Sequence, residues 1–130
     1  MSYQMGKRTV IFELPPSANA CWRQYKGRTI LSAKYRAWRE ENKHLDNKGN
    51  PIVPFPFPVT ICITVHPGKK WRRCDLDNRI KPILDQLQHC GYLVDDDTDW
   101  VHGVSIVLGD DAGEDFESYV EIEFHKVEKE

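Results

Sequence analysis

Residues 75–96 read DLDNRIKPILDQLQHCGYLVDD. Its apolar side chains recur at positions i, i+3, i+4 and i+7, namely Ile80, Ile83, Leu84 and Leu87. This spacing predicts an amphipathic helix from Asn78 to about Cys90. Pro82 is compatible with the helix because it lies near the first turn, where the amide hydrogen that proline lacks would have no partner. Gly91 directly follows and predicts the C-terminal end of the helix.

Four strands are predicted around this helix from alternating or continuous apolar patterns. They are Thr9–Leu14, Val59–Val65, Trp100–Leu108 and Ser118–Phe124. The proline-containing segment Pro15-Pro16-Ser17 ends the first strand. An acidic, glycine-containing loop separates the last two strands, and it predicts that they form a hairpin.

A second helix is predicted from Ser32, which is a suitable N-cap residue, to about Leu45. The basic segment from Trp22 to Arg28 precedes it and is expected to be an irregular loop. The resulting order is β-α-β-α-β-β, with two main helices and a small mixed sheet. We therefore expect an α/β (α+β) fold that forms one domain over residues 1–130, since 130 residues suit a single core.

Composition excludes several classes of protein. Every apolar run is interrupted well before the roughly 20 residues that a membrane span requires. Met1–Arg8 lacks the pattern of a signal peptide, so we expect a cytoplasmic protein without membrane contact. The four cysteines form no C-x-x-C pair, and neither a disulfide framework nor a zinc site is expected. No feature indicates an organic cofactor.

Charge is unevenly distributed along the chain. Residues 1–81 contain 16 Lys and Arg against 6 Asp and Glu, a balance of +10. Residues 82–130 contain 2 against 14, a balance of −12, so the net charge of −2 conceals two opposite halves. A basic half suits a phosphate backbone, and an acidic half suits either bound cations or a solvated surface.

Carboxylates are concentrated on both sides of the predicted helix. Asp75 and Asp77 lie just before it, and in an extended backbone their side chains would point to the same side. Asp96 belongs to the acidic run after Gly91, which permits the chain to turn back along the helix. If the three carboxylates meet, they form an oxygen-only site for Mg²⁺ or Mn²⁺, ions that activate water and neutralise phosphodiester charge. The structural alternative is that Asp77 only caps the helix.

Cations lie beside these acids. Lys81 is one helical turn after Asp77, so its ammonium group either stabilises charge on a phosphate or forms a surface pair with Asp77 or Asp85. The candidate DNA-binding cations are Lys69, Lys70, Arg72 and Arg73 before Asp75, with Arg23, Lys26 and Arg28 nearer the start. Trp71 lies among the first four, where it is either a core residue or a stacking platform.

The motif Asp75-Leu76-Asp77-Asn78, with Lys81 four residues after Asp77 and Gly91-Tyr92 leading to Asp95-Asp96, resembles that of RusA-type Holliday junction resolvases. Pro15-Pro16-Ser17 with Asn19, and Gly27-Arg28 with Ser32, also resemble the opening of that family. The resemblance covers residues 12–108. It implies a homodimer that binds a four-way DNA junction and nicks opposing strands with Mg²⁺ or Mn²⁺. It also implies that Asp75, Asp77 and Asp96 are metal ligands and that Lys81 is catalytic.

The chain departs from that family's pattern in three respects. Cys74 occupies the position before the first aspartate, where the family typically has a basic residue. The net charge is slightly acidic, and the neighbours Asp95, Asp97 and Asp99 compete with Asp96 as the third ligand. Two alternatives therefore stay open, a junction-binding or DNA-remodelling protein without cleavage activity and a nuclease for flaps or other branched DNA.

Overall fold

The computed structural model describes residues 8–128. Residues 1–7 and 129–130 of the predicted domain lie outside the described residues, and so does most of Met1–Arg8, the segment expected not to be a signal peptide. The strands are β1 Arg8–Glu13, β2 Trp22–Tyr25, β3 Arg28–Leu31, β4 Val59–His66, β5 Gly68–Lys69, β6 Val101–Leu108, β7 Gly113–Glu117 and β8 Tyr119–Lys126. The helices are α1 Ala18–Cys21, α2 Ala33–Glu41 and α3 Ile80–Cys90, the last preceded by a 3-10 turn, Leu76–Arg79. Within 8–128, no helix is both long enough and apolar enough to cross a membrane.

The main sheet has the strand order β1-β8-β4-β6. Strand β4 is central, and its alternate residues Val59, Ile61, Ile63 and Val65 are buried. It pairs antiparallel with β8 and parallel with β6, so the predicted mixed sheet and α+β class are confirmed. Parallel neighbours need a crossover connection, which the 3-10 turn and α3 provide. The topology thus places residues 75–96 between two adjacent strands.

The predicted hairpin of the last two strands is wrong. Strand β4 lies between β6 and β8, and the acidic segment that joins them forms β7, which pairs in parallel with β5. Consecutive strands are neighbours in only about two-thirds of cases. Here β4 has an apolar face that is buried along its full length, so it lies inside the sheet and both of its edges are paired. Strand β6 pairs with one edge of β4 and strand β8 with the other.

The basic segment Trp22–Arg28, predicted as an irregular loop, instead enters a hairpin of β2 and β3. Tyr25 pairs with Arg28, so Lys26 and Gly27 form a two-residue turn. Their φ angles are 49° and 75°, and two positive values are the signature of the type I′ turn that matches strand twist. The prediction failed because lysine rarely occupies the first of these positions.

Helix α2 begins as predicted and ends early. Ser32 caps it, with its hydroxyl accepting a hydrogen bond from the Tyr35 amide at 3.1 Å. The helix ends at Glu41 and not near Leu45, because the next residue, Asn42, is held by hydrogen bonds of its side chain. The Asn42 side chain is buried, accepts from the Glu13 amide at 2.8 Å and donates to the Trp38 carbonyl at 2.9 Å, which ties the helix end to β1.

Helix α3 packs Ile83 and Leu87 into the core, where both are fully buried. The buried Gln86 amide donates to the carbonyls of Arg39 and Asn42, each at 2.9 Å. These bonds satisfy carbonyls at the end of α2, which would otherwise lack helical partners. Helix α3 is therefore fixed in direction against both the sheet and α2.

Gly91 ends α3 as predicted, with a φ of 101°. A Cβ atom at this position would lie 2.5 Å from the backbone oxygen of Ile52. Gly91→Ala is therefore expected to lower the free energy of unfolding by about 2 kcal/mol or more, since the left-handed conformation alone costs roughly 1–2 kcal/mol. Chemical denaturation measures this loss.

Gly49→Ala is the matched control, because Gly49 has a φ of 79° but open space around it. It should lose only the conformational contribution. Equal losses in both variants would show that the contact with Ile52 is unimportant.

Candidate active site

The two acids before α3 are exposed and lie in different backbone conformations. Asp75 has extended backbone angles, φ −84° and ψ 124°, whereas Asp77 lies inside the 3-10 turn. The extended backbone that would point both side chains to the same side is therefore not present across Asp75–Asp77. Neither acid caps a helix, because Asp75 makes no side-chain cap bond and the N-cap position of α3 is Arg79. Within residues 8–128 both carboxylates lack a hydrogen bond or ion pair, so they remain available to a ligand.

Lys81 joins the first turn of α3 to the acidic run. Its Nζ lies 3.0 Å from Asp85 Oδ1 and 3.3 Å from Asp96 Oδ2. The predicted pair with Asp85 is confirmed, and Asp96 is brought beside α3 at Lys81, which is four residues after Asp77 in the sequence. The chain does turn back after Gly91. The hydrogen bond to Asp85 is the largest influence on Lys81 and raises its pKa, burial opposes the rise, and Asp96 adds to it. The ammonium group is therefore charged at neutral pH.

The local hydrogen bonds distinguish Asp96 from its neighbours. Asp95 Oδ1 accepts from the Asp96 amide at 2.7 Å. Asp97 Oδ1 accepts from the Asp99 amide at 3.0 Å, and the Asp97 carbonyl accepts from residues 100 and 101, which starts β6. Asp95 and Asp97 thus organise the turn. Asp96 is the member of the run that contacts Lys81.

The structure does not gather Asp75, Asp77 and Asp96 into one group of three ligands, and residues 8–128 contain no cluster of three His, Cys, Asp or Glu placed to hold an ion. The donor chemistry nevertheless fits Mg²⁺ or Mn²⁺, since the candidate atoms are all carboxylate oxygens. Mg²⁺ usually keeps several waters and is bound by one or two carboxylates together with substrate phosphate, not by a closed protein cage. Two unpaired, exposed carboxylates match that manner of binding.

The basic loop before Asp75 carries its charge toward solvent. Lys69 pairs with Glu117 at 3.4 Å, whereas Lys70, Arg72 and Arg73 are exposed. Lys70 has a φ of 61°, which bends the backbone sharply at this point. Trp71 is half-buried and packs against the core, so one part of its ring is structural and the rest faces outward. The packing supports the interpretation of Trp71 as a core residue, and its role as a stacking platform stays a prediction.

The β2–β3 hairpin presents a second group of cations. Arg23 and Lys26 lie over the Tyr25 ring at 5.6 and 5.3 Å, and Arg28 is exposed beside them. Tyr25 itself is 50% exposed. The sequence analysis identified the cations but missed Tyr25, although its position among Arg23, Lys26 and Arg28 is typical of nucleic-acid-binding surfaces. Aromatic and cationic groups thus share the tip of the hairpin.

Arg79 is a further residue that the sequence analysis missed. It is two residues after Asp77, and its Nη1 donates to the Pro15 carbonyl. Within the described part of the chain, the Arg79 Nε has no hydrogen-bond partner, and no carboxylate forms an ion pair with the Arg79 guanidinium. Arg79 therefore connects the 3-10 turn to the Pro15-Pro16 segment and keeps its charge. The sequence feature that could have indicated Arg79 is its position two residues after Asp77.

Asp85→Asn is expected to lower the pKa of Lys81 toward its ordinary value, because it removes the strongest interaction that favours the ammonium form. NMR titration of the lysine side-chain nitrogen measures the change. Since the folded-state pKa is raised, this pair stabilises the fold below a pH of about 10.5 and ceases to do so as the pH rises above it. Asp95→Asn is the control, since Asp95 bonds a backbone amide instead. An unchanged Lys81 pKa would show that the pair does not persist in solution.

Comparison with known proteins identifies the family of this chain. Residues 13–123 match the family described as Endodeoxyribonuclease RusA. The chain is 32% identical over 93 residues to a crossover junction endodeoxyribonuclease RusA of Escherichia coli O139:H28 (strain E24377A / ETEC), covering 72% of this chain and 77% of that protein. The protein of the same name from Escherichia coli K12 is 33% identical over 92 residues, covering 71% and 76%. That of Enterobacteria phage 82 is 35% identical over 82 residues, covering 63% and 68%. This chain belongs to the RusA family of endodeoxyribonucleases.

Proposed function

We propose that this protein resolves four-way DNA junctions by hydrolysing phosphodiesters in opposing strands, in a reaction that depends on Mg²⁺ or Mn²⁺. The observation that carries the proposal is the approach of Lys81 to Asp96 at 3.3 Å, with the exposed Asp77 four residues before Lys81 in the sequence. It places a cation and candidate ligand oxygens at the start of α3. The names of the related proteins, crossover junction endodeoxyribonucleases, support the choice of substrate.

Asp75, Asp77 and Asp96 would hold the metal. When bound, the ion lowers the pKa of a coordinated water and neutralises charge on the scissile phosphate. The exposure of Asp75 and Asp77 supports this role, because ligands shared with a substrate phosphate must be open to it. Asp96 is less exposed and is oriented by Lys81.

Lys81 stabilises the negative charge that develops on the phosphate. Asp85 holds the ammonium group from one side at 3.0 Å, while 57% of the Lys81 side chain stays exposed toward solvent. A positioned cation of this kind needs little reorganisation when charge develops. Asp85 is thus a positioning residue that acts through Lys81.

The DNA backbone would contact the two basic surfaces. The loop contributes Lys69, Lys70, Arg72 and Arg73, and the hairpin contributes Arg23, Lys26 and Arg28. Such contacts supply affinity without reading sequence, and they weaken as salt rises because counterions are released on binding. A steep salt dependence of junction affinity is therefore part of the proposal.

The protein would act as a homodimer. Paired nicks in opposing strands of a four-way junction require two cutting sites related by a twofold axis, and one chain supplies one set of these residues.

The proposal is tested with end-labelled four-way junction, flap and linear duplex, each incubated with the protein in the presence and absence of Mg²⁺. Symmetric nicks in the junction that require the ion, with intact duplex, support it. Tight junction binding with no product in Mg²⁺ or Mn²⁺ would favour a binding protein without cleavage activity. Faster cutting of the flap than of the junction would favour a nuclease for other branched DNA.

A further inference from the structure

A cleft of about 570 Å³ lies beside the candidate active site. It is lined by Trp71 and Arg72 of the basic loop, by Lys34 and Trp38 of α2, and by Pro15. Sites for small organic ligands in proteins have volumes of about 300–1,000 Å³, so the cleft has room for a group such as one nucleotide. The proposed function uses three of its lining cations, Lys69, Lys70 and Arg72, as contacts for the DNA backbone, but it assigns no ligand to the cleft itself.

Positive charge predominates in the cleft. Its cations are Lys34, Lys69, Lys70, Arg72 and Arg79, against the acids Glu13, Glu41 and Glu117. Glu117 is already paired with Lys69. Arg79 is anchored by the Pro15 carbonyl and keeps an unpartnered Nε among the described residues. The balance suits a ligand with a single phosphate group, since one anion would meet two or more cations there.

Aromatic surface lines the same cleft. Trp38 is only 6% exposed, and its Nε1 hydrogen donates to the Glu13 carbonyl at 3.0 Å, so it belongs to the lining of the cleft without offering a free ring face or a free donor. Trp71 is fixed by packing against the core, and its amide donates to the Gly68 carbonyl at 3.2 Å. A fixed, half-buried aromatic ring such as that of Trp71, with cations beside it, is the combination that binds unpaired nucleotides, because a base stacks on the ring and the phosphate meets the cations.

Two residues that line the cleft flank the candidate catalytic aspartates in the sequence. Arg72 lies three residues before Asp75, and Arg79 lies two residues after Asp77. We propose that this cleft binds one unpaired nucleotide of the strand at the branch point, with its base against Trp71 and its phosphate near Arg72 and Arg79. This inference rests on the proposed function and gives that function a source of selectivity. In linear duplex every base is paired and stacked, and extracting one costs several kcal/mol that a branch point spares.

The test is the binding of fluorescein-labelled tetrathymidylate, followed by fluorescence anisotropy. Trp71→Ala is expected to weaken binding about tenfold or more, in keeping with the loss of one base–aromatic stack. Trp71→Phe keeps a ring that can stack and should retain most of the affinity. Arg72→Gln should weaken binding, whereas Lys43→Gln removes an equally exposed cation outside the cleft and should not. Thermal unfolding of each variant reports whether the fold is retained.

Junction cleavage by the same preparations separates the two proposals. Suppose that the wild-type protein cuts junctions and that Trp71→Ala and Arg72→Gln bind tetrathymidylate with wild-type affinity. The cleft inference is then overturned, and the proposed function stands. If no preparation cuts junctions, the proposed function fails. A selective loss of tetrathymidylate affinity in Trp71→Ala, restored in Trp71→Phe, would still support a nucleotide site in the cleft.

Discussion

Asp77→Asn is expected to abolish junction cleavage, lowering the single-turnover rate by about 1,000-fold, while the protein stays folded. The Asp77 side chain is exposed, and its carboxylate makes no hydrogen bond or ion pair within residues 8–128, so replacing it with an amide removes no contact that holds the structure together; the Asp77 backbone carbonyl still accepts from the Ile80 amide. An amide is a far weaker ligand than a carboxylate for a hard cation. Junction affinity should stay equal or increase, because a negative charge near phosphate is removed. Gel-shift and cleavage assays on one preparation measure both quantities.

Asp99→Asn makes the same chemical change at an exposed position of the acidic run and serves as the control. It should cut junctions at close to the wild-type rate. A cooperative loss of structure in Asp77→Asn would assign that residue a structural role. Undiminished cleavage in Asp77→Asn would remove it from the metal site.

Lys81→Met is expected to lower the cleavage rate about 100- to 1,000-fold, the size of effect seen when one preorganised donor to a developing charge is removed. Methionine keeps most of the side-chain length and loses the ammonium group. Because Lys81 contacts Asp85 and Asp96 and lies outside the two basic surfaces, junction affinity should change little. The measurement is the single-turnover rate at saturating protein.

Lys48→Met provides the comparison for that variant, since Lys48 is exposed in the loop after α2 and its amide bonds only Asp46. It should leave the rate unchanged. A Lys81→Met variant with a normal maximal rate and weakened binding would make Lys81 a phosphate contact instead of a catalytic group.

Local patterns predicted most individual elements of this fold. The apolar spacing within residues 80–87 identified α3, the alternation in Val59–Val65 identified β4, and Ser32 and Gly91 marked helix ends. Each signal depends only on residues that are close together in the sequence. Strand pairing depends on residues that are far apart, and the local pattern of β4 does not indicate which strand pairs with each of its two edges. That is why the hairpin of the last two strands was expected and does not exist.

The candidate site was predictable to a different degree. The motif around Asp75, Asp77 and Lys81 identified the family, and the reversal after Gly91 correctly brought Asp96 to the helix. The side-chain directions at Asp75 and Asp77 were not predictable, because a 3-10 turn replaces the extended backbone on which that argument relied. The cleft beside Trp71 was not predictable either, since its walls come from segments that are far apart in sequence.

The position of β8 between β1 and β4 bears on how the protein is made. Arg8 pairs with Phe124, so the first described strand and the last are neighbours in the sheet. Contacts between such distant residues carry a high loop-closure entropy and form late and slowly. A nascent chain still lacking β8 leaves one edge of β4 and the whole of β1 unpaired. Folding must therefore wait until translation of this region is complete, and a chain truncated before Tyr119 should yield a protease-sensitive product without nuclease activity.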